Sequence, residues 1–447
     1  MNFEHIALNI PEILLPRRGI NLDAWAVIAC DQYTSQPDYW DRVQQTVGDN
    51  PSSLHLIYPE IHLDSPQRDQ MIATINQNMR TYLDQGLLLQ QQPPGVMLID
   101  RKTALTQSRK GLLCALDLEH YDYREGATSL IRATEGTILD RLPPRIRVRE
   151  KAAIELPHIM VLIDDPGRTV IEPLFQKPLT PAYDFDLMLD GGHITGQHIS
   201  DTATIREIAA SLARLADAEL FNKKYEVSGK DVLLYAMGDG NHSFATAKAI
   251  WENLKKQTPP PERAGHPARY ALVELVNVHD AGLTFEPIHR VLFNTNTQDL
   301  LLQLAAHCRE QGAGVTCLSG TDREALDAQC AQQAPPSAHR LHYVTAESHG
   351  VVIVENPRHT IATATLQSFL DIYSTRTDGM KIDYIHGADV VTDLGRRPGN
   401  IGFYLPAMSK HDLFKTIILD GALPRKTFSM GEADEKRFYL ECRKIIS

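Results

Sequence analysis

The sequence predicts a mixed α/β protein of the α+β kind, with a main domain that carries a glycine-rich turn and an additional α/β subdomain. Three observations lead there. Short apolar, β-favouring segments divided by Pro, Gly and Asp recur between residues 25 and 278; long helical periodicities fall between only some of them; and a second alternation of helix and strand patterns starts near residue 297. At 447 residues the chain exceeds what one ordinary core organises, so two or three packed units are expected.

Taken in order, Trp25 to Cys30 is apolar and reads as a strand, and Pro37-Asp38 opens a short helix over Tyr39 to Val47. Asp31 to Gln36 is then a loop at a strand end. Ser65 as N-cap, Pro66 at the first helical position, apolar Met71, Ile72, Ile75, Met79 and Leu83, and the stop at Gly86 predict a helix from 65 to 86. Strands are expected near Val96 to Asp100, Ala115 to Leu118, Ile159 to Ile163 and Asp184 to Leu189, some of them antiparallel because few intervals hold a long helical pattern.

Ile205, Ile208, Leu212, Leu215 and Leu220 make one stripe and predict a single helix from Thr202 to Asn222. Next come a strand at Val232 to Met237, a turn, a helix at Phe244 to Lys256 and a buried strand at Tyr270 to Val278. Residues 297 to 356 alternate helix (Gln298 to Gln311), strand, helix (Asp322 to Gln333) and two strands, and further helices are expected near Thr365 to Tyr373 and Lys410 to Asp420. The expected division is a main domain over 1–295, a small α/β subdomain over 296–360, and a C-terminal segment over 361–447 that packs back on the main domain.

Composition narrows the function classes. Hydrophobic residues at 43% and charged residues at 23% sit at the globular average, which argues against a disordered or fibrous chain. A net charge of −11 without a lysine- or arginine-rich run disfavours nucleic acid as a partner. No apolar run approaches the roughly 18 residues of a spanning helix, and Met1 to His5 opens no secretory signal. The expectation is a cytoplasmic protein, off the membrane, with a small-molecule substrate and room for homo-oligomerisation. Cysteines 30, 114, 308, 317, 330 and 442 form no C-x-x-C pair and read as small buried residues.

The chemistry concentrates at Gly238-Asp239-Gly240-Asn241-His242-Ser243, between a strand and a helix. Two glycines let the backbone approach a ligand, and the free amides of the adjoining helix favour an anion. Asp239 could hold Mg²⁺, Asn241 could donate through its amide, and His242 could meet a phosphate or move a proton. The same residues also suit a plain tight turn in which Asp239 and Asn241 satisfy the backbone and Ser243 caps the helix.

Other motifs are weaker. The turn imitates G-x-G-x-x-G but lacks the third glycine and the later acidic residue. Ser228-Gly229-Lys230 lacks the upstream glycine of a Walker A loop, and G-x-S-x-G and H-E-x-x-H do not occur. Asp31 lies where strand-end loops carry catalytic groups. His289-Arg290 offers two cationic donors to phosphate or carboxylate. His193 and His198 have no third metal ligand nearby in sequence.

On the Asp31 segment, Ser53-Leu54-His55-Leu56-Ile57-Tyr58-Pro59-Glu60, Gly238 to His242, Pro287-Ile288-His289-Arg290 and Lys381-Ile382-Asp383-Tyr384-Ile385-His386-Gly387, the chain resembles the bacterial and archaeal family of unknown function DUF1015. Leu423 to Gly431 resembles its branch common in anaerobes. The family's central Asp-Gly-His-His-Arg turn is similar to that of ParB-like serine kinases and, more remotely, of sulfiredoxins. The resemblance therefore implies a ParB/sulfiredoxin-like nucleotide-binding core in which Asp239 and His242 bind phosphate or its metal. Here Asn241 replaces the first histidine and Ser243 the arginine, which removes the best bidentate phosphate donor.

These residues and the resemblance together suggest a nucleotide-dependent phosphotransferase, a kinase using ATP or ADP with Mg²⁺, acting on free serine or a similar small hydroxyl compound. Gly238, Asp239, Gly240, Asn241, Ser243, His289 and Arg290 would hold the nucleotide phosphates, with the metal at Asp239. His242 and Arg290 would offset developing charge and Asp31 would take the hydroxyl proton. The alternatives are a non-catalytic module that binds a nucleotide or phosphometabolite, and a metal-assisted hydrolase using Asp31, Asp239 and histidines.

Overall fold

The structure, a computed structural model, describes residues 1–377 and 379–446. The chain divides into two units, the first made of Met1–Thr284 with the C-terminal residues from Gly431 on, the second of Phe285–Met430.

Unit 1 is organised by a mixed sheet whose main path runs Pro181–Asp186, His193–Ile199, Val96–Lys102, Arg109–Asp117, Tyr270–Asn277, Met160–Ile163, Tyr235–Asp239, Ile131–Arg132 and Tyr121–Asp122. The first five strands run antiparallel, each to the next. Met160–Ile163 then runs parallel to Tyr270–Asn277 and antiparallel to Tyr235–Asp239. The central strands are apolar almost without interruption because both faces of the sheet are covered. Leu98, Leu112, Cys114, Val161 and Met237 face Ile205, Ile208, Leu212, Phe244 and Trp251 on one side. Met97, Ile99, Leu113 and Leu272 face Trp25, Trp40, Ile75, Met79, Phe438 and Leu440 on the other. Each large side chain buried this way contributes about 1.5–3 kcal/mol of hydrophobic stabilisation.

Several expected elements shift for local reasons. Trp25 ends a short helix, Leu22–Trp25, whose N-cap Asn21 accepts from the Asp23 amide, so the strand shrinks to Val27–Ile28 and pairs with Phe438–Tyr439. Ser65 accepts from the Gln67 amide in a turn, and the helix itself is Arg68–Asp84. The single helix expected from 202 to 222 is two, Thr202–Leu215 and Ala218–Tyr225, because Asp217 accepts from the amides of Glu219 and Leu220 and starts the chain afresh. The strand expected at 184–189 ends earlier, at Asp186, since Leu189 and Asp190 take positive φ in the turn beyond it.

Unit 2 carries an antiparallel sheet in the order Gly314–Gly320, His349–Glu355, His339–Val344, Ile401–Tyr404, His289–Phe293, Lys381–Ile385. Leu300, Leu304 and Cys308 of the helix Thr297–Glu310 pack with Leu366, Phe369 and Leu370 of Ala362–Ser374 over one face. Its first and last strands, Phe285–Pro287 and Phe428–Met430, pair with each other, and Phe285 stacks on Phe428 at 4.1 Å.

This division differs from the expected boundaries at 295/296 and 360/361. Residues 361–430 share a core with 297–356, because Ile401–Tyr404 lies between His339–Val344 and His289–Phe293 in one sheet. Only the stretch from Gly431 belongs to the first unit.

Candidate functional site

In unit 1 the strand Tyr235–Asp239 delivers the glycine turn. Met237 pairs with Val161 but Asp239 pairs with Met160, so Gly238 is the extra residue of a β-bulge that re-aims the chain into the turn. Gly240 then takes φ 74° as the N-cap of the helix Asn241–Gln257, and a Cβ there would sit 3.0 Å from the Ile159 Cα. Glycine is required on both counts. The amides of Asn241, His242 and Ser243 form the first helical turn, where no intrahelical acceptor exists and the helix dipole is positive.

Asp239 Oδ1 accepts from the Gly240 amide at 2.9 Å, and Oδ2 lies 3.1 Å from Lys436 Nζ. Burial pushes its pKa up, but the Lys436 ammonium, with His158 and the amide, more than offsets that and leaves it below the usual range. The turn therefore holds an anion already countered by one cation.

Asn241 and His242 tie the turn to the segment before the helix Leu142–Arg149. Asn241 Nδ2 donates to Glu135 O at 3.0 Å and its Oδ1 accepts from the Tyr121 hydroxyl at 3.4 Å. His242 Nε2 accepts from the Ile138 amide at 3.4 Å, which puts a neutral ring's proton on Nδ1. Ser243 is half-buried at the third helical position, so the cap expected of it belongs to Gly240.

Asp31 lies just past the Val27–Ile28 strand, with Oδ1 accepting from Gln32 Nε2 at 3.0 Å. Its neighbour Cys30 donates its amide to the Tyr439 hydroxyl at 3.2 Å and accepts at its carbonyl from the Glu60 amide at 2.8 Å. The Tyr439 hydroxyl in turn bonds His158 Nδ1 at 2.7 Å. Glu60 takes a bidentate pair from Arg145 Nη2 at 2.5 and 2.7 Å. Burial lifts the Glu60 pKa, and Asp31 adds to the lift against Arg145 and His158. Burial, reinforced by Asp31, also raises the Cys30 thiol. A chain of contacts runs from Cys30, the residue before Asp31, through the Tyr439 hydroxyl to His158, whose ring lies 3.4 Å from where a Cβ would sit at Gly240.

Lys436 and Tyr439 enter from the C-terminal stretch. The Ala29 amide donates to Arg437 O at 2.9 Å, Arg101 donates to the Lys436 and Asp434 carbonyls, and Arg109 Nη1 donates to Glu435 O at 2.8 Å. Thr103 and Thr106 hydroxyls both bond Glu435 Oε1 at 3.0 Å. Arg437 is buried against Glu274 and Glu441. Of the cluster, Glu60 stood in a motif segment, while His158, Arg145, Lys436 and Tyr439 carry no local signal; the apolar Phe438-Tyr439-Leu440 run marks only a buried strand.

His289 and Arg290 lie in unit 2, inside its fabric. His289 Nδ1 accepts from the Leu405 amide at 3.0 Å, and burial lowers its pKa. Arg290 is fully buried, donates to Gln367 Oε1 at 2.9 Å, Ile288 O at 2.7 Å and Arg425 O at 3.2 Å, and lies over the Tyr384 ring. His193 bridges Asp184 and Asp186 at 2.6 and 2.7 Å on a hairpin, and His198 lies five residues along the same strand, on its other face.

Among the described residues no group of three or more His, Cys, Asp or Glu side chains converges as an all-protein metal cage does. A Mg²⁺ ion held chiefly by substrate phosphates needs only one or two carboxylates, and ionised Asp239 fits that need. No helix among the described residues is long and apolar enough to cross a membrane.

These features define a mixed α/β protein with a bulged glycine turn at a helix head. The chain belongs to the family described as "Protein of unknown function (DUF1015)", matched over residues 14–373. Lys436 and Tyr439 fall beyond that match. None of the curated proteins compared with the chain matches it. Among solved structures it is similar to a mutant free serine kinase in complex with AMP, at 11% identity over 77% of this chain and 95% of that one, TM-score 0.40. A conserved hypothetical protein from Pyrococcus furiosus is similar at 10% identity over 74% and 95%, TM-score 0.37. SbnI with a C-terminal truncation, from Staphylococcus aureus, is similar at 10% identity over 71% and 82%, TM-score 0.33.

Proposed function

We propose that this chain is a nucleotide-dependent phosphotransferase that uses the Gly238–Ser243 turn to hold the phosphates of ATP or ADP and transfers phosphate to a small hydroxyl compound. The observation that carries the reading is the bulged, positive-φ turn at the head of the Asn241–Gln257 helix, joined through His158 and Tyr439 to Cys30, the residue before Asp31. Free serine or a similar amino acid is the acceptor implied by the turn's resemblance to that of ParB-like serine kinases.

Phosphoryl transfer asks a protein mainly for position and charge. The first-turn amides would face the phosphate oxygens. Asp239 would share a Mg²⁺ ion with them, and that ion would supply charge neutralisation. Asp31 would accept the hydroxyl proton, and His242 would lend a ring nitrogen to the phosphate end. His289 and Arg290, engaged within unit 2, leave this assignment resting on unit 1.

The test is the melting temperature of the protein with ATP, ADP, CTP, pyrophosphate and Mg²⁺, repeated for Asp239→Ala and His242→Ala, since a ligand that binds only the folded state raises it. A nucleotide-dependent rise lost in both variants, together with phosphoserine formation, is the expected result. A protein that melts identically with every phosphate compound contradicts it. A second reading, binding without turnover, is favoured by Ser243, which offers no cation; nucleotide binding with no product from any hydroxyl acceptor would establish it.

A further inference from the structure

The end of the Tyr235–Asp239 strand away from the glycine turn opens on a cleft of about 270 Å³ in unit 1. It lies between the loop 164–169, which follows the Met160–Ile163 strand, and the helices Thr202–Leu215 and Ala218–Tyr225. Phe221, Leu233 and Leu234, each 2% exposed, give it an apolar lining. Five strand residues, a span of about 16 Å, separate it from the turn. Four charged side chains line the cleft, and two of them cancel. Lys224 Nζ lies 2.8 Å from Asp164 Oδ1 and donates to the Asp164 carbonyl at 2.6 Å, while His279 and the Tyr225 hydroxyl occupy the same carboxylate. Asp165 and Arg214 are different. The Asp165 side chain, 1% exposed, is held by the Thr169 and Val170 amides and the Thr169 hydroxyl, all of them neutral donors. Its Oδ1 takes only that hydroxyl, at 3.3 Å, and Gly167 leaves the oxygen uncovered, since a Cβ there would stand 3.6 Å from it. Among the described residues the Arg214 guanidinium has no hydrogen-bonding or ionic partner.

We propose that this cleft binds a small apolar zwitterion, an α-amino acid with a branched aliphatic side chain, its ammonium on Asp165, its carboxylate on Arg214 and its hydrocarbon on Phe221, Leu233 and Leu234. One carboxylate and one guanidinium without counter-ions, set around an apolar surface, are the complement of such a ligand. A guanidinium matches a carboxylate bidentately, and an ammonium relieves a buried carboxylate that has only neutral donors. The size agrees: pockets for drug-sized ligands run from about 300 to 1,000 Å³, and this cleft falls just below them. The inference is independent of the phosphotransferase reading, because no residue of the glycine turn lines the cleft.

The experiment is calorimetric binding of leucine, 4-methylpentanoate, 3-methylbutylamine and serine to the full chain, Arg214→Gln and Arg214→Lys. Leucine should bind the unaltered chain, with 4-methylpentanoate, which lacks the ammonium, and 3-methylbutylamine, which lacks the carboxylate, each weaker by about tenfold or more. Arg214→Gln should bring leucine down to the level of 3-methylbutylamine and leave 3-methylbutylamine unchanged, and Arg214→Lys should recover part of the loss. Serine, which has no apolar body, should not displace leucine. Equal affinity for leucine and 4-methylpentanoate would take Asp165 out of the site and overturn the zwitterion. Undiminished leucine binding by Arg214→Gln would place the ligand elsewhere, and displacement by serine would remove the apolar lining from the recognition; either overturns the inference. A loss of leucine and 3-methylbutylamine alike in Arg214→Gln would mean that Arg214 acts through the fold, which also overturns it. If the unaltered chain binds no leucine the inference falls, while the phosphotransferase reading keeps its own test in the nucleotide melting series.

Discussion

At Asp239 and at Glu60 the same burial acts on the same chemical group with opposite outcomes, because the partners differ: an ammonium and an amide hold Asp239 ionised, whereas Asp31 works with burial against Arg145 at Glu60. Glu155, buried between Arg149 and Arg443, behaves like Asp239 and sits below its usual pKa once the arginines offset burial. Carboxylates depressed in the fold add stability above the unfolded value of about 4, and that stability is lost as pH falls through their folded pKa. Glu60 has the reverse sign: its share is complete below the unfolded value and is lost as pH rises through its folded pKa. Urea unfolding from pH 7 to 3 should therefore show stability falling below about pH 4, and Glu60→Gln should remove the opposing slope above it. Glu155→Ala, which strands the buried Arg443 and the partly buried Arg149, should cost about 3–5 kcal/mol at pH 7. Asp31→Asn should reduce turnover by roughly 10²- to 10⁴-fold with nucleotide binding retained; equal losses in both would remove Asp31 from the chemistry.

At the scale of elements, the glycine turn works because a bulge, a left-handed residue and a helix start fall on consecutive positions. Gly240→Ala must place a Cβ 3.0 Å from Ile159 at φ 74°, so a loss of about 1–3 kcal/mol is expected, with phosphate binding lost beyond what stability explains. An unchanged melting point would show that the turn relaxes freely. Asp217→Ala removes the cap that splits the expected long helix, and should cost about 1 kcal/mol in urea unfolding without altering the site. Legibility in the sequence divides the same way. The opening Pro37-Asp38, the apolar stripe from Met71 to Leu83 and the strand-turn-helix order around Gly238 located the helices Pro37–Val47, Arg68–Asp84 and Asn241–Gln257 to within a few residues, because these signals are local. Capping choices such as Ser65 against Gln67, or the break at Asp217, turn on one hydrogen bond and were not legible.

For the whole molecule, the chain leaves unit 1 at Thr284 and returns at Gly431, and the returning stretch is part of that unit's structure. Phe438, Tyr439, Leu440 and Cys442 are part of the second core of unit 1, and Arg437 neutralises Glu274 beneath the sheet. A chain ending at residue 430 should lose cooperative melting of unit 1, since it gives up the buried Phe438, Tyr439, Leu440, Cys442 and Ile445 and leaves Glu274 without Arg437. Residues 285–430 expressed alone should melt cooperatively, because their own core and the paired strands at their ends lie within that stretch. A soluble 1–430 chain with unchanged unfolding would show that the returning segment is dispensable.

Residue order alone was enough for the mixed α/β class, most helices and central strands, and the glycine turn between Met237 and its helix, all of which are written in spacing and residue type within a window of a few residues. Packing was needed to assign residues 361–430 to the second unit, to bring Lys436 to Asp239, and to join Cys30, beside Asp31, to the turn through Tyr439 and His158. The physical reason is range: periodicity and capping act between chain neighbours, whereas an ion pair forms between any two residues that packing brings together, and nothing in the spacing of Lys436 from Asp239 announces their contact.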